Sequence, residues 1–206
     1  MQKELKTAQS SLTEGKIRDF WQKMTQKHQD MCVNGGIRID FDRNFTQAIF
    51  DDILEQLLKC AHSGLVVATP LFEYNYDPDN SIPHHVASLT LFYDRNNSNI
   101  ILNYFNPKGK SSPRLQKEKR LMTALGQMIK QRTGKPVFTY MFYGKNMQID
   151  DNIGLCQLYS LYYLYNFIKN PQPQSPSYFI RSIELQDGTF NEKQLYDFTR
   201  NIFELN

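Results

Sequence analysis

The stretch HHVASLTLFYDRNNSNIILNYFN, residues 84–106, decides the fold. Two strand-like runs, His84–Tyr93 and Asn99–Phe105, flank the polar turn Asp94-Arg95-Asn96-Asn97-Ser98, the spacing of a β-hairpin. Antiparallel pairing lays the start of the first strand beside the end of the second. The pairing therefore delivers Asn106 next to the histidine pair His84-His85. Downstream, Asn106-Pro107-Lys108-Gly109 turns the chain, and Pro113 opens a helix reaching Thr133. Its inner face reads Leu121, Met122, Leu125, Met128 and Ile129, while QKEKR (116–120) and KQR (130–132) form its solvated side. Gly134 caps it, and Pro136–Phe142 reads as a further strand. The polar loop GKNMQIDDNIGL (144–155) then leads into CQLYSLYYLYNFIK (156–169), a helix that begins at Cys156 and turns one face, Leu158, Leu161 or Tyr162, Tyr165 and Ile168, inward.

Upstream, Ile17, Phe20, Trp21, Met24 and His28 recur at helical spacing from Thr13 onward. Asn34-Gly35-Gly36 stops that helix, and Ile37–Asp40 reads as a short strand. A second helix is expected from Asn44 to Ala61, and Leu65–Ala68 as a buried strand. Tyr74–Pro83, rich in Asn, Asp and Pro, reads as a loop. Beyond the Cys156 helix, Pro171–Pro176 reads as a surface linker. Phe190–Leu205 reads as a last amphipathic helix, with Thr189 as N-cap and Glu192 as its capping-box partner. The whole is α+β: a central mixed sheet flanked by helices. Residues 1–63 form an N-terminal helical extension and residues 64–206 the core.

Composition bounds the possibilities. The 206 residues carry 24 Lys+Arg against 21 Asp+Glu, a net +3 that is too mild to indicate nucleic-acid binding. No apolar run approaches 18 residues, so no membrane-spanning helix is expected, and the polar N-terminus does not read as a secretory signal. Cys32, Cys60 and Cys156 are an odd number at wide spacing, which favours free thiols in a reducing compartment over a disulfide framework or a zinc knuckle. No metal ligand set and no cofactor motif is apparent.

Of the three thiols, Cys156 has the setting for chemistry. At a helix start it meets the positive end of the helix dipole and backbone N–H groups, both of which lower a thiol pKa. The same N–H groups can hold an oxyanion. Cysteine catalysis also needs a base, and either His84 or His85 opens the hairpin, with His85 favoured. The side-chain carbonyl of Asn106 can orient the imidazole. Cys60 closes a helix, where the dipole would raise its pKa, and Cys32 has no histidine in a matching topology; both are read as structural. Lys108, Lys110, Arg114, Lys117, Lys119 and Arg120 are read as a solvated basic face, with docking of an acidic partner as the alternative.

The order His, then an acid or amide ending the next strand, then Gln, then Cys at a helix start resembles the adenain and ubiquitin-like protease (SUMO protease) clan of cysteine peptidases. That clan includes viral maturation proteases, bacterial deubiquitinase effectors and the YopJ-type acetyltransferases. The residues carrying the likeness are His85, Tyr104-Phe105-Asn106-Pro107-Lys108-Gly109, Gln148, Asn152 and Cys156, within about Ile82–Phe167. The resemblance implies a circularly permuted papain-like core. It implies Cys156 as nucleophile, His85 as general base and later acid, Asn106 as its orienter, and Gln148 as an oxyanion donor, with Asn146 or Asn152 as alternative donors. Asn in place of an acid orients the imidazole without lending it charge.

The implied function is a cysteine peptidase that cleaves a ubiquitin-like modifier, a viral polyprotein or another Gly-containing protein through a thioester. Trp21, Tyr74, Tyr76, His84, Asn152 and Gly154 would line the substrate groove, and residues 1–63 would serve recognition. A YopJ-like acetyltransferase on the same triad and a catalytically silent modifier-binding module are the competing expectations. The expected setting is a reducing one, the host cytoplasm for a bacterial effector or the infected cell or virion for a viral enzyme, with the protein a monomer that needs no cofactor.

Overall fold

The computed structural model describes residues 5, 7, 12–27, 32, 33, 36–39, 51–55, 66–73, 85–108, 115–143, 155–171, 175–184 and 191–204. Helix α1 spans Glu14–Lys27. Thr13 starts it, taking the Lys16 backbone N–H on its side-chain oxygen at 3.3 Å and the Ile17 N–H on its carbonyl at 3.1 Å. Strands β1 (Cys32–Val33), β2 (Ile37–Ile39) and β3 (Val66–Glu73) follow. The hairpin is β4 (His85–Asp94) and β5 (Asn99–Asn106). Then come α2 (Leu115–Thr133), β6 (Val137–Tyr143), α3 (Cys156–Lys169), α4 (Ser175–Ile183) and α5 (Glu192–Glu204).

The six strands make one mixed sheet in the order β1-β3-β4-β5-β6, with β2 also paired to β3. β1 and β2 run parallel to β3, the β3–β4 and β4–β5 pairs are antiparallel, and β5–β6 is parallel. Side chains alternate across a strand, so each face collects its own core. One face carries Ala87, Leu89 and Leu91 of β4 with Ile100, Leu102 and Tyr104 of β5, and it is covered by Leu121, Met122, Leu125 and Ile129 of α2. The other carries Val86 and Phe105 and packs on α3, with α1, α4 and α5 closing that layer. Ile17, Phe20 and Met24 bury the apolar stripe of α1 there, each worth about 1.5–3 kcal/mol. Phe105 anchors a ring cluster, its centroid 4.8 Å from Tyr163 and 5.6 Å from Phe179.

Two layers are joined by hydroxyls rather than by apolar contact alone. Ser88 donates to the Ser160 carbonyl at 3.1 Å, Ser160 donates to the Val86 carbonyl at 2.6 Å, and the Thr90 and Tyr163 hydroxyls share a 3.1 Å bond. These bonds fix how α3 sits on β4, and hence where its first residue lies.

The sequence reading and the structure differ in four places. β3 runs on to Glu73, five residues past the expected end, because Pro70 is accommodated opposite Ser88 without ending the ladder. The Pro171–Pro176 linker gives way to α4 from Ser175, where Pro176 sits in the first turn, a position whose missing N–H costs a helix nothing. Asn191 caps α5, its side-chain oxygen accepting the Gln194 N–H at 3.2 Å; the expected cap, Thr189, lies outside the described residues. α3 is buried almost all round, not on one stripe, since helices cover the side away from the sheet. Of the expected helix 44–61, residues 51–55 are described, and they are helical. Gly134 does end α2, in the left-handed region at φ +68°, with its N–H on the Lys130 carbonyl.

Candidate active site

The site lies where the two layers meet, at the end of the sheet formed by the start of β4 and the end of β5. The register pairs Ser88 with Phe105, which makes His85 and Asn106 a diagonal pair on one face of the hairpin. Their side chains meet: His85 Nε2 is 2.9 Å from Asn106 Oδ1. Both are buried, His85 at 7% exposure and Asn106 at 0%.

The surroundings of Asn106 settle the direction of that bond. Its Oδ1 also accepts the Lys108 backbone N–H at 2.8 Å, and an N–H can only donate. Its Nδ2 donates to Glu118 Oε1 at 2.9 Å and to the Tyr104 hydroxyl at 3.4 Å. With the amide so oriented, His85 Nε2 must carry the proton, and Nδ1 is the basic nitrogen of the neutral ring.

Cys156 arrives from the opposite layer as the first residue of α3 and is 3% exposed. No acidic residue and no side-chain cap occupies the first turn, so the positive end of the helix is directed at the thiol. The sulfur is met by the backbone N–H groups of Val86, Gln157 and Cys156 itself. Val86 follows His85 in β4, so this bond ties the Cys156 sulfur to the strand that carries the imidazole. Burial pushes the Cys156 thiol above its ordinary value, and the Val86 and Gln157 N–H groups and the Lys108 ammonium only partly oppose that. The helix start works in the expected direction, but desolvation outweighs it. The resting sulfur is thus a thiol that needs a base to become a nucleophile.

Glu118 is the residue that sequence reasoning misplaced. It falls in the QKEKR segment read as the solvated side of α2, yet it is 1% exposed and faces the site from the first turn of the helix. Its Oε2 accepts from the Tyr143 hydroxyl at 3.1 Å. Burial pushes the Tyr104 and Tyr143 phenols well up, and the charge of Glu118 adds to both. A sequence signal existed: Glu118 lies three positions before Leu121, four before Met122 and seven before Leu125, on the apolar stripe of the helix. Lys108 likewise belongs to the site rather than to a purely solvated basic face.

Among the sequence-predicted residues, the structure puts His85 and Asn106 in hydrogen-bond contact and sets the Cys156 sulfur against the backbone N–H of Val86, the residue after His85. Trp21 lies in α1, its side chain outside the described set. Tyr74, Tyr76, His84, Asn146, Gln148, Asn152 and Gly154 lie outside the described residues.

No protein-family model and no curated protein matches this chain. Solved structures do. ChlaDub1 from Chlamydia trachomatis aligns over 91% of this chain and 89% of its own, with a TM-score of 0.57 at 13% identity. The pS273R protease of African swine fever virus (ASFV) aligns over 91% of this chain and 65% of its own, with a TM-score of 0.56 at 17% identity. This chain spans 46% of an AvrA structure, at a TM-score of 0.49 and 11% identity. The α+β fold, a mixed sheet between helical layers, is that of these protease structures, in accord with the resemblance to the ubiquitin-like protease clan.

Proposed function

We propose that this chain is a cysteine peptidase acting on a ubiquitin-like modifier, a viral polyprotein or another Gly-containing protein, with Cys156, His85 and Asn106 as its triad. The observation that carries this reading is the buried His85–Asn106 bond at the strand ends, beside a cysteine sulfur held by the next N–H of the same strand. In this reading His85 Nδ1 takes the thiol proton as the sulfur attacks the scissile carbonyl. The tetrahedral oxyanion rests on the Cys156 backbone N–H and, by resemblance, on the Gln148 side chain. The imidazolium returns its proton to the leaving amine, and water then hydrolyses the thioester with His85 again as base.

The outer parts of the site belong to the same proposal. Trp21, Tyr74, Tyr76, His84, Asn152 and Gly154 line the groove, and residues 1–63 take part in recognition. The setting is a reducing one, host cytoplasm or infected cell. The test is incubation of the full chain with ubiquitin and SUMO bearing C-terminal electrophiles. Covalent capture that disappears in Cys156→Ala is the expected result. Stoichiometric binding without an adduct, or acetyl transfer from labelled acetyl-CoA with no capture, would overturn it in favour of a binding module or a transferase.

A further inference from the structure

A neutral amide in the third position of the site raises a physical question. An aspartate there would orient the imidazole and also stabilise it once protonated; Asn106 does only the first. The charge is found one residue further back. Glu118 Oε1 lies 2.9 Å from Asn106 Nδ2, completing a line of imidazole, amide and carboxylate in which every member is buried. A carboxylate out of water is costly unless it is well hydrogen-bonded. Here it takes donors from Asn106 and Tyr143 and sits in the first turn of α2, where the helix dipole favours an anion. Aligned hydrogen bonds polarise one another: a carboxylate pulling on the amide N–H makes the amide oxygen a stronger acceptor on its far side.

We propose that Glu118 is a positioning residue for His85, acting through Asn106: it fixes the amide so that Nε2 keeps the ring proton, and it lends the imidazolium the negative charge that the amide lacks. This rests on His85 being the base of the proposed reaction. Glu118 also holds Tyr143, the last residue of β6, from which the chain continues toward Gln148. One carboxylate therefore anchors both the orienter of the base and the root of the segment expected to supply the oxyanion donor. Among the described residues, the other titratable or charged ones around this line are Cys156, Lys108, Tyr104 and Tyr143, with Glu73 the cross-strand partner of His85 on β3.

The experiment follows the His85 ring by NMR against pH in the full chain. A Cys156→Ala background removes coupling to the thiol, and the signal is assigned by its loss in His85→Ala. Glu118→Gln keeps the shape, and its side-chain oxygen can still accept from Asn106. It is expected to lower the ring titration by about one pH unit, the size of a unit charge two hydrogen bonds away in a buried site. Asn106→Asp alone sets two carboxylates against each other at that contact, where they must share a proton. The double variant Asn106→Asp/Glu118→Gln relieves this and returns the charge directly to the imidazole, so its ring should titrate at or above the wild-type position. Because the double retains one buried charge, it also carries the test if Glu118→Gln folds poorly.

An unchanged titration in Glu118→Gln overturns the proposal. So does a shift no larger than that of Glu73→Gln, or a double variant titrating below wild type. Ring titration needs no turnover. Failure of the electrophile probes would therefore count against the peptidase reading, and a normal titration in Glu118→Gln against the role of Glu118.

Discussion

The Ser160 hydroxyl donates to the Val86 carbonyl at 2.6 Å, one turn into the helix that Cys156 opens and one residue beyond His85. Cys156 and His85, the proposed nucleophile and base, come from different layers of the molecule, and this bond ties the helix of one to the strand of the other. Ser160→Ala is expected to lower stability by about 1–2 kcal/mol, since it strands a buried carbonyl lone pair. It should also slow covalent capture about tenfold, because a small displacement of a reacting group is costly in rate. Denaturant melts and capture kinetics on the same variant separate the two effects. Lost stability with unchanged capture would make the bond a structural one only.

In the proposed reaction, removing the base and removing its orienter should not be equivalent. His85→Ala deletes proton transfer and is expected to reduce modifier cleavage by about 10²–10⁴-fold. Asn106→Ala leaves an imidazole that can still act when it happens to point correctly, so its loss should be smaller, about tenfold to a hundredfold. Steady-state kcat/KM values on one fluorogenic modifier substrate decide the ranking. An Asn106→Ala defect as deep as that of His85→Ala would mean that orientation is the whole of the contribution.

The hairpin was readable because its two strands and their turn are contiguous, so pairing alone brings the His84-His85 pair to Asn106; the register that selects His85 is set by the surrounding packing and was not. Cys156 was readable for a related reason, standing at a helix start marked by a polar loop before it and an apolar run after it. Glu118 was obscured because a charged residue between lysines looks solvated, and its burial depends on what β5 and β6 present to α2. The net direction of the Cys156 thiol was also out of reach, since local sequence reveals the helix dipole but not the desolvation imposed by the opposite layer. α4 was hidden by the prolines around it, one of which starts the helix rather than preventing it.

Alkaline pH should unfold the protein through its buried phenols. Tyr104 is pushed well up by burial and by Glu118, and Tyr159 is raised to about 12, mainly by burial. A group whose folded pKa exceeds its unfolded value contributes stability below the unfolded pKa and loses it as pH rises. The unfolded chain ionises these phenols near 10, so stability should hold at neutral pH and fall above about pH 10. For a phenol as buried as Tyr104 the slope approaches about 1.4 kcal/mol per pH unit. The Cys156 thiol, also raised by burial, adds in the same sense from about pH 9. Tyr104→Phe removes its share, so its stability-against-pH curve should be flatter than wild type above pH 10; parallel curves would show that Tyr104 does not drive the loss.

Gly126 sits on the buried face of α2, and its smallness lets that helix approach β6. A methyl group built at this position would lie 2.6 Å from the Thr139 side-chain oxygen, closer than real contacts permit, while the next atoms are at ordinary contact distances of 3.9 and 4.0 Å. In an open helix, Gly to Ala would gain about 1 kcal/mol of propensity. Here the clash with one oxygen opposes that gain, and overpacking of this kind costs about 1–3 kcal/mol. Gly126→Ala alone is therefore expected to be neutral to destabilising by up to about 2 kcal/mol. With Thr139→Ala the obstructing oxygen is gone and the helix gain returns, so the double variant should be more stable than Thr139→Ala alone by up to about 1 kcal/mol. A double-mutant cycle by chemical denaturation measures that coupling. Additive effects would mean that α2 and β6 yield at this contact, and that Gly126 does not set how closely the helix bearing Glu118 approaches the sheet.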